Sequence, residues 1–317
     1  MKRRTFITRV GAAAGGALMP LGRLIDASSF TLGVLTDEIS QDFGHACEVA
    51  AKEFGLGYVE LRAMHGKNVM TWGKSEIDEA QQALAKFNLR VSEIASPVFK
   101  TDWPGAPKSP FSPKNPQFGA TDWTFDQQDE LLERAIDLAK TFKTPYVRIF
   151  DFWRLEDQAP HRKAIDDRVR QAAIKAAGKG VTLNLENELA CNTALGSEAA
   201  RLLKAVPERG LMLNWDPGNA QARGESPFPH GYLLLPTDRI KHVHCKDVAR
   251  KAGTEADTEW APVGKGLVDW LGQLKALKKD GYTGVISLET HWRLKGGTPE
   301  ESSRQSMAGL KDLVAKA

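Results

Sequence analysis

Eight short segments in which apolar and polar residues alternate are separated by longer stretches with helical spacing. The alternation predicts strands over Thr31–Thr36, Tyr58–Arg62, Arg90–Ala95, Pro145–Phe150, Val181–Glu186, Leu211–Asp216, Ile240–Lys246 and Gly284–Glu289. Helices are expected over Asp42–Glu53, Glu76–Phe87, Gln127–Phe142, His161–Ala177, Ser197–Ala205, Leu267–Lys279 and Pro299–Ala315, with at most a short helix after Asp216. In Gln127–Phe142, for example, Leu131, Leu132, Ala135, Ile136 and Ala139 form one stripe, as a helix with a single buried face requires. Eight β/α units in 317 residues predict a single-domain α/β fold, the (β/α)8 TIM barrel. The alternative, an open doubly wound sheet, would favour a Gly-rich phosphate turn after the first strand. Thr36-Asp37-Glu38-Ile39 stands there instead.

The parity of the strands says which face looks inward. In Ile240–Asp247, a period of two puts Ile240, His242, His244 and Lys246 on one face and Lys241, Val243 and Cys245 on the other. Three polar, mostly ionisable groups in a row on one strand face are costly to bury unless they meet a ligand, a charge or water. Three further segments repeat the pattern. Val181, Leu183 and Leu185 oppose Thr182, Asn184, Glu186 and Glu188; Leu211, Leu213 and Trp215 oppose Met212, Asn214 and Asp216; Ile286 and Leu288 oppose Ser287, Glu289 and His291. The apolar face suits packing on outer helices. The polar face then lines the barrel, with Glu186, Asp216 and Glu289 at the carboxyl ends where barrel enzymes carry their chemistry. Histidine is the commonest side-chain metal ligand, so these carboxylates and the histidine strand form a candidate metal centre.

Composition is that of a globular protein, 42% hydrophobic and 26% charged, with no apolar run as long as a membrane span. The first residues fit the globule poorly. Lys2-Arg3-Arg4-Thr5-Phe6-Ile7 is a basic segment with paired arginines, and Gly11–Leu21 is weakly apolar and Ala/Gly-rich. This resembles a twin-arginine export signal spanning about residues 1–27, which leaves 28–317 for the barrel and predicts a periplasmic protein. Lys2, Arg3, Arg4, Arg9 and Arg23 against Asp26 give the leader +4, so the whole-chain +3 becomes about −1 for the domain. A near-neutral domain lacks the electrostatic footprint of a nucleic-acid binder. Cys47, Cys191 and Cys245 are odd in number and far apart, which is no disulfide framework.

One connection is long. Lys100–Thr124 carries Trp103, Phe111, Phe118 and Trp123 among five prolines and follows the third strand, so it belongs over the active face, where an aromatic such as Trp103 could stack on a sugar.

Six motifs occur in order: Val147-Arg148-Ile149-Phe150, Leu185-Glu186-Asn187-Glu188, Asn214-Trp215-Asp216-Pro217-Gly218-Asn219, His242-Val243-His244-Cys245-Lys246-Asp247, Val263-Gly264-Lys265-Gly266 and Leu288-Glu289-Thr290-His291. From about Thr31 to the C-terminus the chain resembles the xylose isomerase-like TIM barrels, the sugar phosphate isomerases/epimerases. That resemblance implies one divalent metal held by Glu186, Asp216, His244 and Glu289, with His244 chosen over His242 because it precedes the family's x-Lys-Asp. Three carboxylates and an imidazole favour Mn²⁺ or Mg²⁺, with Zn²⁺ or Co²⁺ second.

The implied chemistry is epimerisation or aldose–ketose isomerisation of a small sugar, by proton abstraction next to a carbonyl through a metal-stabilised enediolate. Glu186 and Glu289 would remove and return the proton, and Arg148, Lys246, Glu188, Glu60 and His291 are candidates for substrate contact. Two readings compete with this one: a keto-glycoside lyase on the same barrel, and a non-catalytic sugar-binding barrel. The chain departs from the superfamily at Asn219, where many sugar epimerases have histidine. The related apurinic endonuclease branch, which holds three metals, needs that histidine and an Asp-x-His where Thr258 and Trp260 stand here. A trinuclear nuclease is therefore not expected.

Overall fold

A computed structural model describes residues 30–112, 123–254 and 257–317. The export leader expected over the first 27 residues, and Pro113, Pro116 and Phe118 of the long loop, lie outside the described residues.

The eight predicted strands form one parallel sheet. They are β1 (Thr31–Val34), β2 (Tyr58–Leu61), β3 (Arg90–Val98), β4 (Tyr146–Ile149), β5 (Thr182–Glu186), β6 (Leu211–Trp215), β7 (Ile240–Cys245) and β8 (Val285–Leu288). Hydrogen-bonded neighbours run β1-β8-β7-β6-β5-β4-β3-β2. The remaining gap, between β1 and β2, is spanned by a parallel bridge from Leu35 to Glu60. The sheet therefore closes nearly all the way round, which removes its edges.

A helix follows each strand: α1 (Phe43–Glu48), α2 (Lys74–Lys86), α3 (Gln128–Thr141), α4 (Arg162–Gly178), α5 (Gly196–Ala205), α6 (Pro217–Ala222), α7 (Trp270–Lys279) and α8 (Pro299–Lys316). The predicted helix over Asp42–Glu53 is real but divided, since its second half, Val49–Glu53, widens into a π turn. The segment after Asp216 is a single short helix because Asp216 caps it, accepting from the Asn219 amide, and Pro217 occupies its first turn. On α3 the expected stripe of Leu131, Leu132, Ala135, Ile136 and Ala139 is buried against the sheet.

The apolar core lies between sheet and helices, where Leu183, Leu185, Leu213, Trp215, Val243, Cys245, Ile286 and Leu288 are all fully buried. The opposite strand faces fill the barrel with polar side chains. A lower layer joins Asn184, whose Nδ2 donates to Glu93 at 2.6 Å, to Asn214 and His242. The upper layer, at the carboxyl ends, holds Glu60, Arg148, Glu186, His244 and Ser287. Branched apolar residues usually dominate these layers. Filling them with charge is a cost that a ligand site explains.

Candidate metal and active site

Strand register delivers the four expected ligands to one place. Glu186 ends β5 opposite Asn214, while His244 on β7 lies opposite Ser287, two residues before Glu289. Asp216 follows β6 and is held by Asn187, whose Oδ1 accepts from the Asp216 amide at 2.7 Å while its Nδ2 donates to the Asp216 carbonyl at 2.8 Å. As a result, one ligand atom from each of Glu186, Asp216, His244 and Glu289 lies within 4.8 Å of the others, and all four residues are buried. The donor set fits a hard divalent cation. A positive charge is already drawn to it, because the Lys246 ammonium is 2.8 Å from Asp216 Oδ2, 3.7 Å from Glu186 Oε1 and hydrogen-bonded to Glu289 Oε2.

The two nitrogens of His244 have separate tasks. Nδ1 faces the ligand group, 3.2 Å from both Glu186 Oε1 and Glu289 Oε2. Nε2 faces Glu60, 3.0 and 3.1 Å from its two oxygens. A proton on Nε2 leaves the Nδ1 lone pair for a metal, with Glu60 orienting the ring as carboxylates do behind metal-bound histidines. Glu60 itself accepts from Ser287 Oγ at 2.9 Å and is fully buried. Its oxygens are therefore turned onto the His244 ring and Ser287.

Electrostatics separate the carboxyls. Burial alone would raise Glu289, but Lys246, His291 and His244 outweigh it and hold the group well below the usual range. Glu186 is likewise held down against burial by His244 and Arg148. Asp216 is pushed up to about 7, because burial there exceeds the relief from Lys246. One layer down, burial lowers His242 to about 4 and keeps it neutral, while burial and the Glu60 charge push Glu93 far up. Anionic character thus gathers around His244, on Glu60, Glu186 and Glu289.

The other expected contacts divide. Arg148 is turned onto protein: Nη1 lies 3.1 Å from Glu186 Oε2, and Nη2 donates to the Ala95 carbonyl at 3.2 Å. It braces Glu186. Trp103 packs edge-on against Phe125 and Phe152, with centroids 5.4 and 4.8 Å away. Its ring is held in an aromatic cluster and is half-buried. Glu188 stays at the rim, paired with Lys100 Nζ at 3.0 Å. His291 Nε2 is 3.4 Å from Glu289 Oε1, and its ring meets Trp260 edge-on at 5.0 Å.

Four residues at the site, Arg62, Asp37, Glu38 and Asn219, had no role assigned from the sequence. Arg62 donates from Nη1 to Glu289 at 2.9 Å, from Nε to Asp37 at 2.9 Å and from Nη2 to Glu38 at 2.7 Å. Glu38 also pairs with Arg293 at 2.7 Å. The available signal was parity, since Arg62 shares a face with Glu60. Asn219, noted only as a departure, braces two ligands, with Nδ2 3.2 Å from Glu186 Oε1 and 3.0 Å from Asp216 Oδ2.

The Lys-Asp and Gly-x-Gly motifs also acquire a physical reason. The Asp247 carboxylate accepts backbone amides from Val248, Gly264, Gly266 and Val268 at 2.9–3.1 Å. A Cβ at Gly266 would collide with that carboxylate.

The family model for xylose isomerase-like TIM barrels matches residues 49–313. The chain belongs to that family. No curated protein matches it. Among solved structures, the barrel is similar to the IOLI protein with a bound zinc atom (TM-score 0.68, 18% identity, 90% of this chain and 99% of that one). It is also similar to D-allulose 3-epimerase from Methylomonas sp. in complex with D-allulose (0.64, 16%, 92% and 98%). A third similar structure is a probable 3-DHS dehydratase of petrobactin synthesis from Bacillus anthracis (0.66, 18%, 89% and 99%). At these identities the likeness shows the fold.

A cavity of about 670 Å³ opens at the other end of the barrel, lined by Tyr58, Arg90, Tyr146, Lys241 and His242 among others. It lies at the amino ends of the strands. Because barrel chemistry resides at the carboxyl ends, we place the site at the carboxylates and not in this cavity. No helix among the described residues is long and apolar enough to cross a membrane.

Proposed function

We propose that this barrel is a divalent-metal-dependent sugar isomerase or epimerase that moves a proton next to a carbonyl. The observation that carries the reading is the convergence of Glu186, Asp216, His244 and Glu289 within 4.8 Å at the carboxyl ends of four strands. Mn²⁺ or Mg²⁺ suits three carboxylates and one imidazole, with Zn²⁺ or Co²⁺ second. Such an ion supplies Lewis-acid stabilisation of the charge left when the proton is removed.

The chain's own residues do the rest. Glu289 and Glu186 are both held ionised, and β6 and β7 separate their strands in the barrel. Each can therefore take or return a proton from its own side of a substrate carbon. Arg62 and Arg148 fix the two carboxylates from behind, so their orientation does not relax when a sugar arrives. Glu188, His291 and Lys246 are the candidates to bind hydroxyl and carbonyl oxygens. With the twin-arginine leader, the proposed location is the periplasm, which favours a free or oxidised sugar over a phosphorylated one.

Asn219 favours a second reading, elimination across the same carbon pair, since it replaces the histidine that many sugar epimerases carry. The test is incubation of metal-loaded protein with a panel of ketoses and 3-keto-glycosides in D₂O, followed by NMR. Deuterium at the carbon next to the carbonyl, together with an isomer or epimer, is expected. An unsaturated product would select the lyase, and binding with no exchange on any substrate would overturn both.

A further inference from the structure

Lys246 is a cation buried among the proposed metal ligands. It follows the last residue of β7, points into the barrel and is only 2% exposed. Its ammonium has three hydrogens and faces three carboxylates: Glu289 Oε2 by hydrogen bond, Asp216 Oδ2 at 2.8 Å and Glu186 Oε1 at 3.7 Å. Those residues, with His244, are the converging donor set. A divalent ion bonds carboxylate oxygens at about 2.0–2.2 Å. An ammonium on the same Asp216 and Glu289 oxygens would then stand almost against it, like charge to like charge. The two cations exclude each other.

The surroundings give Lys246 both a track and a destination. A Cβ built at Gly218 would collide with Lys246 Cγ and lie 3.0 Å from the Lys246 carbonyl. Only a glycine leaves that path open to the stem. Above it, the antiparallel ribbon of Asp247–Arg250 and Thr258–Ala261 brings the Trp260 ring to 5.5 Å from the ammonium, a favourable station for a cation. Glu188 offers a carboxylate at the rim beside Lys100.

Building on the metal reading above, we propose that Lys246 is a tethered counter-ion that occupies the metal-free site. A divalent ion enters by displacing it, and metal loading thereby delivers the ammonium to the mouth, where substrate oxygens bind. No covalent bond is made or broken; one buried cation replaces another.

The full chain is titrated calorimetrically with MnCl₂, as wild type and as Lys246→Met. In parallel, wild-type lysines are acetylated with and without Mn²⁺ and read by mass spectrometry. Where the ammonium holds the site in nine-tenths of molecules or more, its removal tightens Mn²⁺ binding by about tenfold or more. Acetylation of Lys246 should rise severalfold with Mn²⁺, while Lys275 and Lys311 stay unchanged. The labelling needs no variant, so a misfolded Lys246→Met would not spare the proposal. Equal or weaker Mn²⁺ binding by a folded Lys246→Met, or labelling of Lys246 that ignores Mn²⁺, overturns the displacement and leaves the metal reading standing. Absence of Mn²⁺ binding by both proteins overturns the two together.

Discussion

Replacing Glu289 by glutamine tests the proton-transfer reading most directly. The carboxylate accepts from Arg62 Nη1 at 2.9 Å and from Lys246, and lies 3.2 Å from His244 Nδ1. Glutamine keeps the shape and one oxygen, so the amide can still accept from Arg62 or face a metal, but it cannot take a proton. Deleting one partner of a buried ion pair costs about 3–5 kcal/mol when the remaining charge is left alone. Here Arg62 keeps Asp37 and Glu38, and Lys246 keeps Asp216, so the loss should fall below that range and the barrel should fold. General acid–base catalysis is typically worth ~10²–10⁴-fold, equivalent to about 3–5 kcal/mol of transition-state stabilisation. Turnover on whichever panel sugar is processed should drop by that factor, and deuterium exchange with solvent should drop with it. Metal content, read by elemental analysis, should fall less than in His244→Ala, which deletes a ligand outright. A Glu289→Gln protein that folds, holds metal and turns over at near wild-type rate would refute the two-carboxylate mechanism.

Further outcomes follow from other parts of the chain. Elemental analysis of protein purified without chelator should give about one divalent ion per chain by the ligand count, whereas two or three tightly held ions would contradict a mononuclear site. Glu60→Gln keeps an acceptor behind His244 but removes its charge, so metal affinity should weaken by about 10–100-fold, the usual effect of losing such a partner; an unchanged titration would remove Glu60 from the site. Asp151 is buried and accepts from the Thr193 amide and hydroxyl at 2.9 and 2.6 Å; burial raises it from 3.8 to about 7. The native state therefore binds a proton that the unfolded chain has released, and stability from this group is full below 3.8 and lost as pH rises towards about 7. Urea midpoints at pH 5 and 8 should differ less in Asp151→Asn than in wild type, and equal differences would show that the group does not titrate there. Export should fail when Arg3 and Arg4 are both changed to lysine, and normal periplasmic yield of that variant would exclude the twin-arginine signal.

Period-two alternation made the barrel legible, because its interior is polar where most barrels are apolar. Glu186, Asp216, His244 and Glu289 each stand on the face opposite a fully buried apolar set, and the structure brings all four together. Where the alternation is interrupted, legibility ends. The pairing of β3 is irregular on both sides, since three of its residues, Val91 to Ile94, face two of β2 and four, Ile94 to Val98, face two of β4, and this breaks the parity of the strand that carries Glu93. Glu93 was left unassigned. Asp37 and Glu38 were hidden for a related reason, since they belong to a 3₁₀ turn after β1 and not to a strand, and only closure of the barrel brings Arg62 to them. Pairing was also beyond a one-dimensional pattern. Arg148 and Lys246 both point inward, as parity requires, yet one braces Glu186 from behind while the other lies among the carboxylates. That difference decides whether a cation supports the metal ligands or competes for them. It depends on distances of an ångström or two between strands that lie far apart in the chain.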